Sequence, residues 1–375
     1  MKEKSKIQKI VGISILIFAI IIVIFVKTYS DKKIEDAKLT YVYSATGGGK
    51  ENLLDDAEFN NILKDKYKIK LESEPWSNGK LVLEPVRTKE GSPYDLIFFS
   101  DQRFYDYYKL SPNKLLNEAD RDKVLKGGLT LNTPIVIYSW DTVTDAFIRE
   151  GIVTKTNNVY YITDMNKLLN YILTGKTWNE IGVNIYGRIN IDSTDPVTSS
   201  PGATYYGLLL SIMNKGDITD ENVHNALPDL KSFYKKSGYM NNTPADLFEM
   251  YLRTGEGAKP MIVDYEKSII DFANNNKEDY EKIKDKIRIL YPTPTIWNSH
   301  CIATLSENGN ILYNAFEDKE ISKIAWSRYG FRTGITGGNY DVKDVIVKGI
   351  PSSIDSVVSG LKMSVYNTLI DYLKE

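Results

Sequence analysis

Cysteine and histidine are scarce in this chain of 375 residues, which has one cysteine and two histidines. The single cysteine, Cys301, excludes a disulfide within the chain. His300 is its direct neighbour, and adjacent side chains of a strand point to opposite faces, which disfavours a nucleophile–base pair. Tetrahedral zinc needs more His or Cys ligands than the chain offers without carboxylates. The scarcity therefore argues against thiol, imidazole and zinc chemistry.

A surplus of positive charge is also missing. The chain has 47 Lys and Arg against 49 Asp and Glu, a formal net charge of −2. A protein that binds nucleic acid is expected to carry a basic face, and the sequence has no Arg-rich run and no basic stripe interleaved with aromatic residues. We therefore expect no nucleic acid among the partners.

Known catalytic and phosphate-binding motifs are absent from the sequence. No Gly-x-Ser-x-Gly elbow occurs. The glycine-rich residues 47–50 depart from the P-loop pattern, because Ser44 stands at the first glycine position and Glu51 follows the lysine. These glycines form either a flexible turn or a loop whose N–H groups approach a ligand, and the sequence does not decide between the two.

A metal or cofactor site is not expected either. Three acids are separated along the chain and lie in no EF-hand pattern: Asp192, Asp195 and Asp264. Separated acids of this kind are typical of solvated loop caps, or of a ring that suits a cationic ligand. We expect no catalytic residue and no metal. A hydrolase with paired carboxylates stays an alternative, although no spacing in the sequence singles out such a pair.

One long apolar run is present, at the N-terminus. Residues 10–26 form 17 consecutive residues without a charge, and four lysines precede them. The run is longer than the about 7–15 residues of a signal-peptide core and reaches the lower limit of about 17–25 for a membrane span. Neither a small-x-small cleavage site nor a lipid-anchor cysteine follows. The pattern predicts an uncleaved signal anchor, with a cleaved signal as the alternative.

The anchor implies a topology. We expect residues 1–9 in the cytoplasm, residues 10–26 as a transmembrane helix, and residues 27–37 as a tether. Lysines lie on both sides of the run, so the positive-inside rule is nearly balanced. A signal-like N-terminus that leads a long domain is normally translocated. We therefore expect a single-pass protein of the cell membrane with its C-terminal domain outside the cell, as on a Gram-positive bacterium.

Strand-like and helix-like segments alternate through the rest of the chain. Residues 39–44 and 94–99 are β-branched and aromatic runs, and residues 51–63 have helical spacing between them. Residues 133–138 are strongly strand-like, and further helices are indicated near residues 201–214 and 351–373. The alternation is typical of an α/β fold.

The order of these elements resembles the type II periplasmic-binding-protein fold, in its extracellular solute-binding branch of the ABC-transporter type. Loops at the ends of strands carry the resemblance, which spans residues 38–375: Ser44 to Gly47, Ser100 and Asp101, Asp195 to Gly202, Val263 to Glu266, and Tyr291 to Thr295. The fold implies two α/β lobes joined by two hinge crossings, near residues 133–138 and 288–295. Lobe one is then residues 38–132 plus 295–375, and lobe two is residues 133–294.

The resemblance also implies where a ligand binds. The expected ligand-binding residues are Ser44, Thr46, Gly47, Ser100, Asp101, Thr133, Thr198, Ser199, Gly202, Ala203, Asp264 and Tyr265. In the segment between Ser199 and Gly202, Ser200 is expected to cap a helix and Pro201 to occupy its first position. An ordinary capped helix without ligand is the alternative interpretation of that segment.

The function implied is that of a solute-binding protein and not an enzyme. Two lobes close on a small polar ligand, an oxyanion or similar, held by hydroxyls and backbone N–H groups. The expected partners are this ligand, a membrane transporter or sensor, and the lipid bilayer. We expect a monomer without cofactor. The alternatives are an anchored surface hydrolase with paired carboxylates and a structural module without ligand.

Overall fold

The computed structural model describes residues 17–18, 20–23, 25–27, 38–83, 86–110, 123–333 and 341–375. The expected cytoplasmic segment, residues 1–9, and nearly all of the tether lie outside the described residues. Of the expected anchor, only helical residues between 17 and 26 are described, and their apolar side chains are exposed. Within the described part of the chain, no helix has both the length and the apolar character needed to cross a membrane.

Eleven strands are defined in the described ranges: β1 (Thr40–Gly47), β2 (Ile69–Trp76), β3 (Leu96–Phe99), β4 (Lys126–Trp140), β5 (Val153–Thr156), β6 (Val159–Ile162), β7 (Met261–Tyr265), β8 (Ile287–Pro292), β9 (Thr295–Thr304), β10 (Arg332–Thr333) and β11 (Val357–Val358). The helices are α1 (Glu51–Leu54), α2 (Ala57–Tyr67), α3 (Asn78–Leu83), α4 (Gln102–Leu110), α5 (Asp141–Arg149), α6 (Met165–Thr174), α7 (Ser200–Met213), α8 (Leu227–Ser237), α9 (Pro244–Thr254), α10 (Glu266–Asn275), α11 (Lys277–Ile283), α12 (Glu307–Ala315), α13 (Lys319–Tyr329) and α14 (Met363–Lys374). The alternation of strands and helices is the mixed α/β fold that the sequence predicts.

The first sheet has the order β2-β1-β3-β9-β4, and β10 pairs with β4. Strands β1, β2 and β3 are parallel, whereas β9 is antiparallel to both β3 and β4. All four side chains of β3 are buried: Leu96 and Phe98 pack on one face with α2, α12 and α13, and Ile97 and Phe99 pack on the other with α3 and α4. Because strand side chains alternate, a sheet covered by helices on both faces needs such a continuous apolar run.

The second sheet contains the C-terminal part of β4 together with β7, β8, β6 and β5. On one face, Ile135 and Ile137 pack in a cluster with α5, α6, α7 and α8. On the other face, Val136 and Tyr138 pack with α9 and α10. The same alternation as in the first sheet therefore gives the second sheet two helical layers of its own. Each sheet with the helices that cover it is called a half of the protein, the first half and the second half.

The long strand β4 joins the two sheets. Pro134 is opposite Trp297 of the first sheet, and Ile135 is opposite Tyr265 of the second. The chain returns through Thr293 and Pro294, between β8 and β9, and the Thr295 hydroxyl donates a hydrogen bond to the Ile135 carbonyl over 2.7 Å. The two passages therefore lie side by side, within residues 133–138 and 288–295.

A buried ion pair stands beside these passages. Arg332, on β10, makes a bidentate contact with Glu266, at the start of α10, with Nε–Oε1 and Nη2–Oε2 distances of 2.8 Å each. The Tyr291 hydroxyl, on β8, donates to the same carboxylate over 2.7 Å. Side chains from both sheets thus converge on one carboxylate.

The C-terminal helix α14 packs with the second sheet, although residues 295–375 were expected to belong to lobe one. Val365 and Leu369 are fully buried in the cluster that also contains side chains of α7 and α8. Val345 and Val347 lie in the cluster on the opposite face of that sheet. The apolar stripe of α14 is thus buried against second-sheet helices, while Tyr366 of the same helix also packs against Phe104 in the first half.

Candidate functional site

The hydroxyls expected at the end of β1 bind one another. The Oγ of Ser44 lies 2.7 Å from Oγ1 of Thr46, and Ser73 on β2 donates to the same Oγ1 over 2.8 Å. At Gly47 a Cβ would stand 2.7 Å from Oδ1 of Asn78. That Cβ would also stand 3.0 Å from the backbone nitrogen of Ser100, so glycine lets the end of β1 lie close to both residues.

Ser100 is held by two asparagines that the sequence did not single out. Asn78 donates to the Ser100 hydroxyl over 2.7 Å and accepts from its N–H over 3.1 Å. Asn298, on β9, donates to the Ser100 carbonyl over 3.1 Å. The ends of β1 and β3 and the middle of β9 thus form one hydrogen-bonded layer at the edge of the first sheet.

Asp101 makes a buried ion pair with Arg103, at the start of α4. The guanidinium Nε lies 3.0 and 3.1 Å from the two carboxylate oxygens. Its carbon lies 4.5 Å from the ring centroid of Tyr366 on α14, which packs with the second sheet. Nη1 is buried and has no hydrogen-bond partner among the described residues. One donor of this cation is therefore unused where the two halves meet.

Asp264 and Tyr265 approach from the second sheet, at the end of β7. The Tyr265 N–H donates to Oδ1 of Asp264 over 2.7 Å. Oδ2 of Asp264 and the Tyr265 hydroxyl are buried without a hydrogen-bond partner of normal geometry in the described part of the chain, although Ser268 lies near the Asp264 carboxylate and Thr204 lies near the Tyr265 hydroxyl. Burial raises the pKa of Asp264 to about 6, and it raises that of Tyr265 well above its ordinary value.

Replacing Asp264 with asparagine is expected to stabilise the chain at pH 8 by about 1–3 kcal/mol in the absence of added solute. The folded pKa, about 6, is higher than the unfolded value of about 3.9. The folded chain therefore binds the Asp264 carboxyl proton more tightly than the unfolded chain does. The stabilisation that this proton provides is lost as the pH rises through about 6. Urea denaturation at pH 5 and pH 8 measures the effect, with the exposed Asp65→Asn as control. A variant less stable than the parent at pH 8 would contradict this prediction.

The N-terminus of α7 begins one residue earlier than expected, with Ser199 and not Ser200 as its N-cap. The Ser199 hydroxyl donates to Oγ1 of Thr194 over 2.9 Å and makes no capping hydrogen bond. At Gly202 a Cβ would lie 2.2 Å from the Thr194 carbonyl oxygen. Glycine therefore lets the helix pack on the preceding loop, whereas sequence reasoning assigned it to ligand approach.

Three further expected residues are scattered. Thr133, at the first crossing, is fully buried and accepts a hydrogen bond from the Lys267 N–H over 3.2 Å. Thr198 is exposed, and Ala203 is buried inside α7. No hydrogen bond between described residues joins the Ser199 hydroxyl to Asp101 or Tyr265. The structure thus brings the ends of β1, β3 and β7 together at the boundary between the two halves, which is called the seam. The α7 residues lie beside this seam.

Two residues that were not among the expected ligand-binding residues also lie in the seam. His300, on β9, is buried, and burial followed by the charges of Lys50 and Lys267 holds its pKa well below the ordinary value. Lys50 is also buried, and burial lowers its pKa to about 7. In the sequence, only its place in the glycine-rich turn points to Lys50 as a functional residue. No local sequence pattern points to His300.

Among the described residues, five of the ten buried side-chain polar atoms without a hydrogen-bond partner lie where the two sheets meet. They are Arg103 Nη1, Asn298 Oδ1 and His300 Nδ1 from the first half, and Asp264 Oδ2 and Tyr265 Oη from the second. Others, such as the hydroxyls of Tyr205 and Tyr251, lie within the cores of the second half. Since buried polar groups are normally hydrogen-bonded, the atoms of this seam are the candidate ligand contacts.

A cavity of about 320 Å³ lies elsewhere, between the start of α6, the end of α7 and the Thr293–Pro294 turn. It contains none of the expected ligand-binding residues. In the described part of the chain, no group of three or more His, Cys, Asp or Glu side chains is placed to hold a metal ion.

Comparisons with known proteins show the fold. No family model and no curated protein matches the sequence. A putative extracellular solute-binding protein from Bordetella parapertussis aligns with a TM-score of 0.60 at 13% identity, over 89% of this chain and 98% of that one. Apo ferric ion-binding protein A from Pasteurella haemolytica aligns with a TM-score of 0.57 at 12% identity, over 89% and 96%. The substrate-binding protein of an ABC transporter from Agrobacterium tumefaciens aligns with a TM-score of 0.54 at 14% identity, over 90% and 94%. The chain has the mixed α/β fold of solute-binding proteins.

Proposed function

We propose that the chain is an extracellular solute-binding protein that closes its two halves on a small polar ligand. The observation that carries this proposal is the set of buried, unpaired polar atoms contributed by both halves to one seam. Each such group left unpaired costs about 1–3 kcal/mol. A polar solute that pairs them recovers this free energy, so ligand binding and contact between the halves are coupled.

The two passages between the sheets supply the hinge for such closure. They are adjacent backbone segments, near Pro134 and Thr293, so the halves can rotate about one line. A ligand shifts the balance towards the closed form only by its higher affinity for that form. Ligand contacts with Arg103 of one half and Tyr265 of the other provide the higher affinity for the closed form, because both side chains reach the ligand only when the halves meet.

A binding role fits the chemistry of the two residues that could otherwise act as nucleophile and base. Burial raises the pKa of the Cys301 thiol, and burial lowers that of His300. A thiol of raised pKa is a poor nucleophile at neutral pH. We therefore assign no reaction to the seam.

The remaining elements of the proposal concern location and partners. The proposed membrane anchor at the N-terminus rests on the sequence, in which residues 10–26 carry no charge. With the domain outside the cell, a monomer held at the membrane would deliver its solute to a transporter or report it to a sensor. Such an anchor keeps the receptor close to either partner.

Replacing Tyr265 with phenylalanine is expected to weaken ligand binding by about three- to tenfold, which corresponds to the loss of one hydrogen bond. The full chain in detergent is heated with a panel of small polar solutes, and a bound solute raises the unfolding temperature. Tyr251→Phe is the matched control, because its hydroxyl is also buried and unpaired but lies in a core. A Tyr265→Phe variant that binds as tightly as the parent would exclude this hydroxyl from the site, and a panel without any stabilising solute would oppose the binding role.

A further inference from the structure

Lys50 is a buried cation without a carboxylate partner. Its side chain is 1% exposed, and its ammonium donates to the carbonyls of Gly47 and Phe98, the latter over 3.4 Å. Nζ also lies 4.5 Å from the Phe98 ring centroid. None of the described carboxylates forms an ion pair with it. Burial of a lysine is rare unless the charge is paired, so this ammonium is a candidate partner for an anion.

The tautomer of the neutral His300 ring follows from its neighbours. Nδ2 of Asn298 donates to the Ser100 carbonyl, which fixes the orientation of that amide. The same Nδ2 lies 3.2 Å from Nε2 of His300, so Nε2 accepts and the ring proton is on Nδ1. Nδ1 is buried and has no partner among the described residues. His300 therefore presents an unused N–H donor.

Lys50, His300 and Lys267 lie near one another where the β1–α1 turn, β9 and the start of α10 meet, and these three side chains are called the basic cluster. A Cβ at Gly49, next to Lys50, would lie 3.9 Å from Cε1 of His300. The His300 and Phe331 ring centroids are 5.1 Å apart, and Nζ of Lys267 lies 5.1 Å from the same Phe331 ring. Lys267 belongs to the second half, so the basic cluster is complete only when the halves are together.

We propose that this basic cluster binds an anionic group of the ligand, a carboxylate or a phosphate, through the Lys50 ammonium and the Nδ1–H of His300. Lys267 adds a second positive charge from the other half. The unpaired Oδ1 of Asn298 accepts a hydrogen bond from a neighbouring donor of the ligand. The proposal rests on the solute-binding role and names the chemical class of the solute.

Binding of the anion is expected to be accompanied by proton uptake. The pKa of Lys50 is lowered to about 7, chiefly by burial and also by the charge of Lys267, against the opposing effects of Glu51 and Cys301. His300, which also faces the ammonium, is neutral. At pH 8 the free chain has largely lost the Lys50 proton, and a bound anion restores it. Affinity should therefore fall as pH rises above about 7, and calorimetry in Tris and in HEPES should show uptake approaching one proton at pH 8.

The test compares anionic, neutral and cationic solutes on the full chain. Inorganic phosphate, acetate, succinate, citrate, maltose and putrescine are titrated at pH 7 and pH 8. We expect an anion to bind, and we expect Lys50→Met to weaken its binding ten- to a hundredfold and to abolish proton uptake. The phosphate and carboxylate arms distinguish the two anionic groups. Lys259→Met, a partly buried lysine paired with Asp192 in the second half, is the matched control.

The outcomes separate this inference from the receptor role. Binding of maltose or putrescine alone, with unchanged affinity in Lys50→Met, would overturn the anion site and leave the receptor role intact. Absence of binding by every solute would overturn both. If Lys50→Met does not fold, replacement of the half-buried Lys267 by Met provides the second variant, and unchanged anion affinity together with unchanged proton uptake would refute the basic cluster as the anion site.

Discussion

Arg332→Met is expected to lower the free energy of unfolding by about 3–5 kcal/mol. Arg332 and Glu266 are both buried, at 2% and 0% exposure, and the pair is bidentate. Removing the guanidinium leaves the Glu266 carboxylate inside the protein with the Tyr291 hydroxyl as a remaining donor. An uncompensated buried charge is among the most destabilising changes that a single substitution produces.

Urea denaturation of parent and variants measures this loss. The double variant Arg332→Met with Glu266→Met should be less destabilised than the sum of the two single changes, because it removes both charges. The control is Lys282→Ala, which removes an exposed pair with Asp279 and should change stability by less than about 0.5 kcal/mol. A loss below about 1 kcal/mol in Arg332→Met would show that the pair does not hold the two sheets together.

Deletion of residues 361–375 is expected to prevent the second half from folding. The segment buries five apolar side chains in the cluster of the second sheet: Leu361, Val365, Leu369, Ile370 and Leu373. At about 1.5–3 kcal/mol for each buried side chain, their joint loss is on the order of 10 kcal/mol. That loss is comparable with the entire stability of an ordinary domain, about 5–15 kcal/mol.

Circular dichroism and limited proteolysis of the shortened chain measure this effect. Cleavage should concentrate in residues 135–292, because the deletion removes α14 from the core of the second sheet. Removing only the exposed Glu375 is the control and should change nothing. A single Leu369→Ala change should cost about 2–5 kcal/mol. A shortened chain that unfolds as cooperatively as the full one would place α14 outside the core.

Much of the fold could be predicted from local sequence patterns. The buried strand β3 appears within its apolar run, and Pro201 marks the first turn of α7, because side-chain alternation and helix-start chemistry act between near neighbours. The first crossing strand was recognised only at residues 133–138, whereas β4 begins at Lys126. Gly127 and Gly128 have low strand propensity, and pairing with β9 overrides it.

The site was predictable only in part, for a physical reason. Hydroxyls at the strand ends Ser44 and Ser100 follow from the strand positions themselves. The approach of Lys50 to His300 joins residues 250 positions apart in the sequence, and no local pattern records which side chains become buried together. The packing of α14 with the second sheet is of the same kind. Local periodicity thus determines the elements, whereas burial, ion pairing and unpaired polar atoms arise from contacts between distant segments, which exist only after the chain has folded.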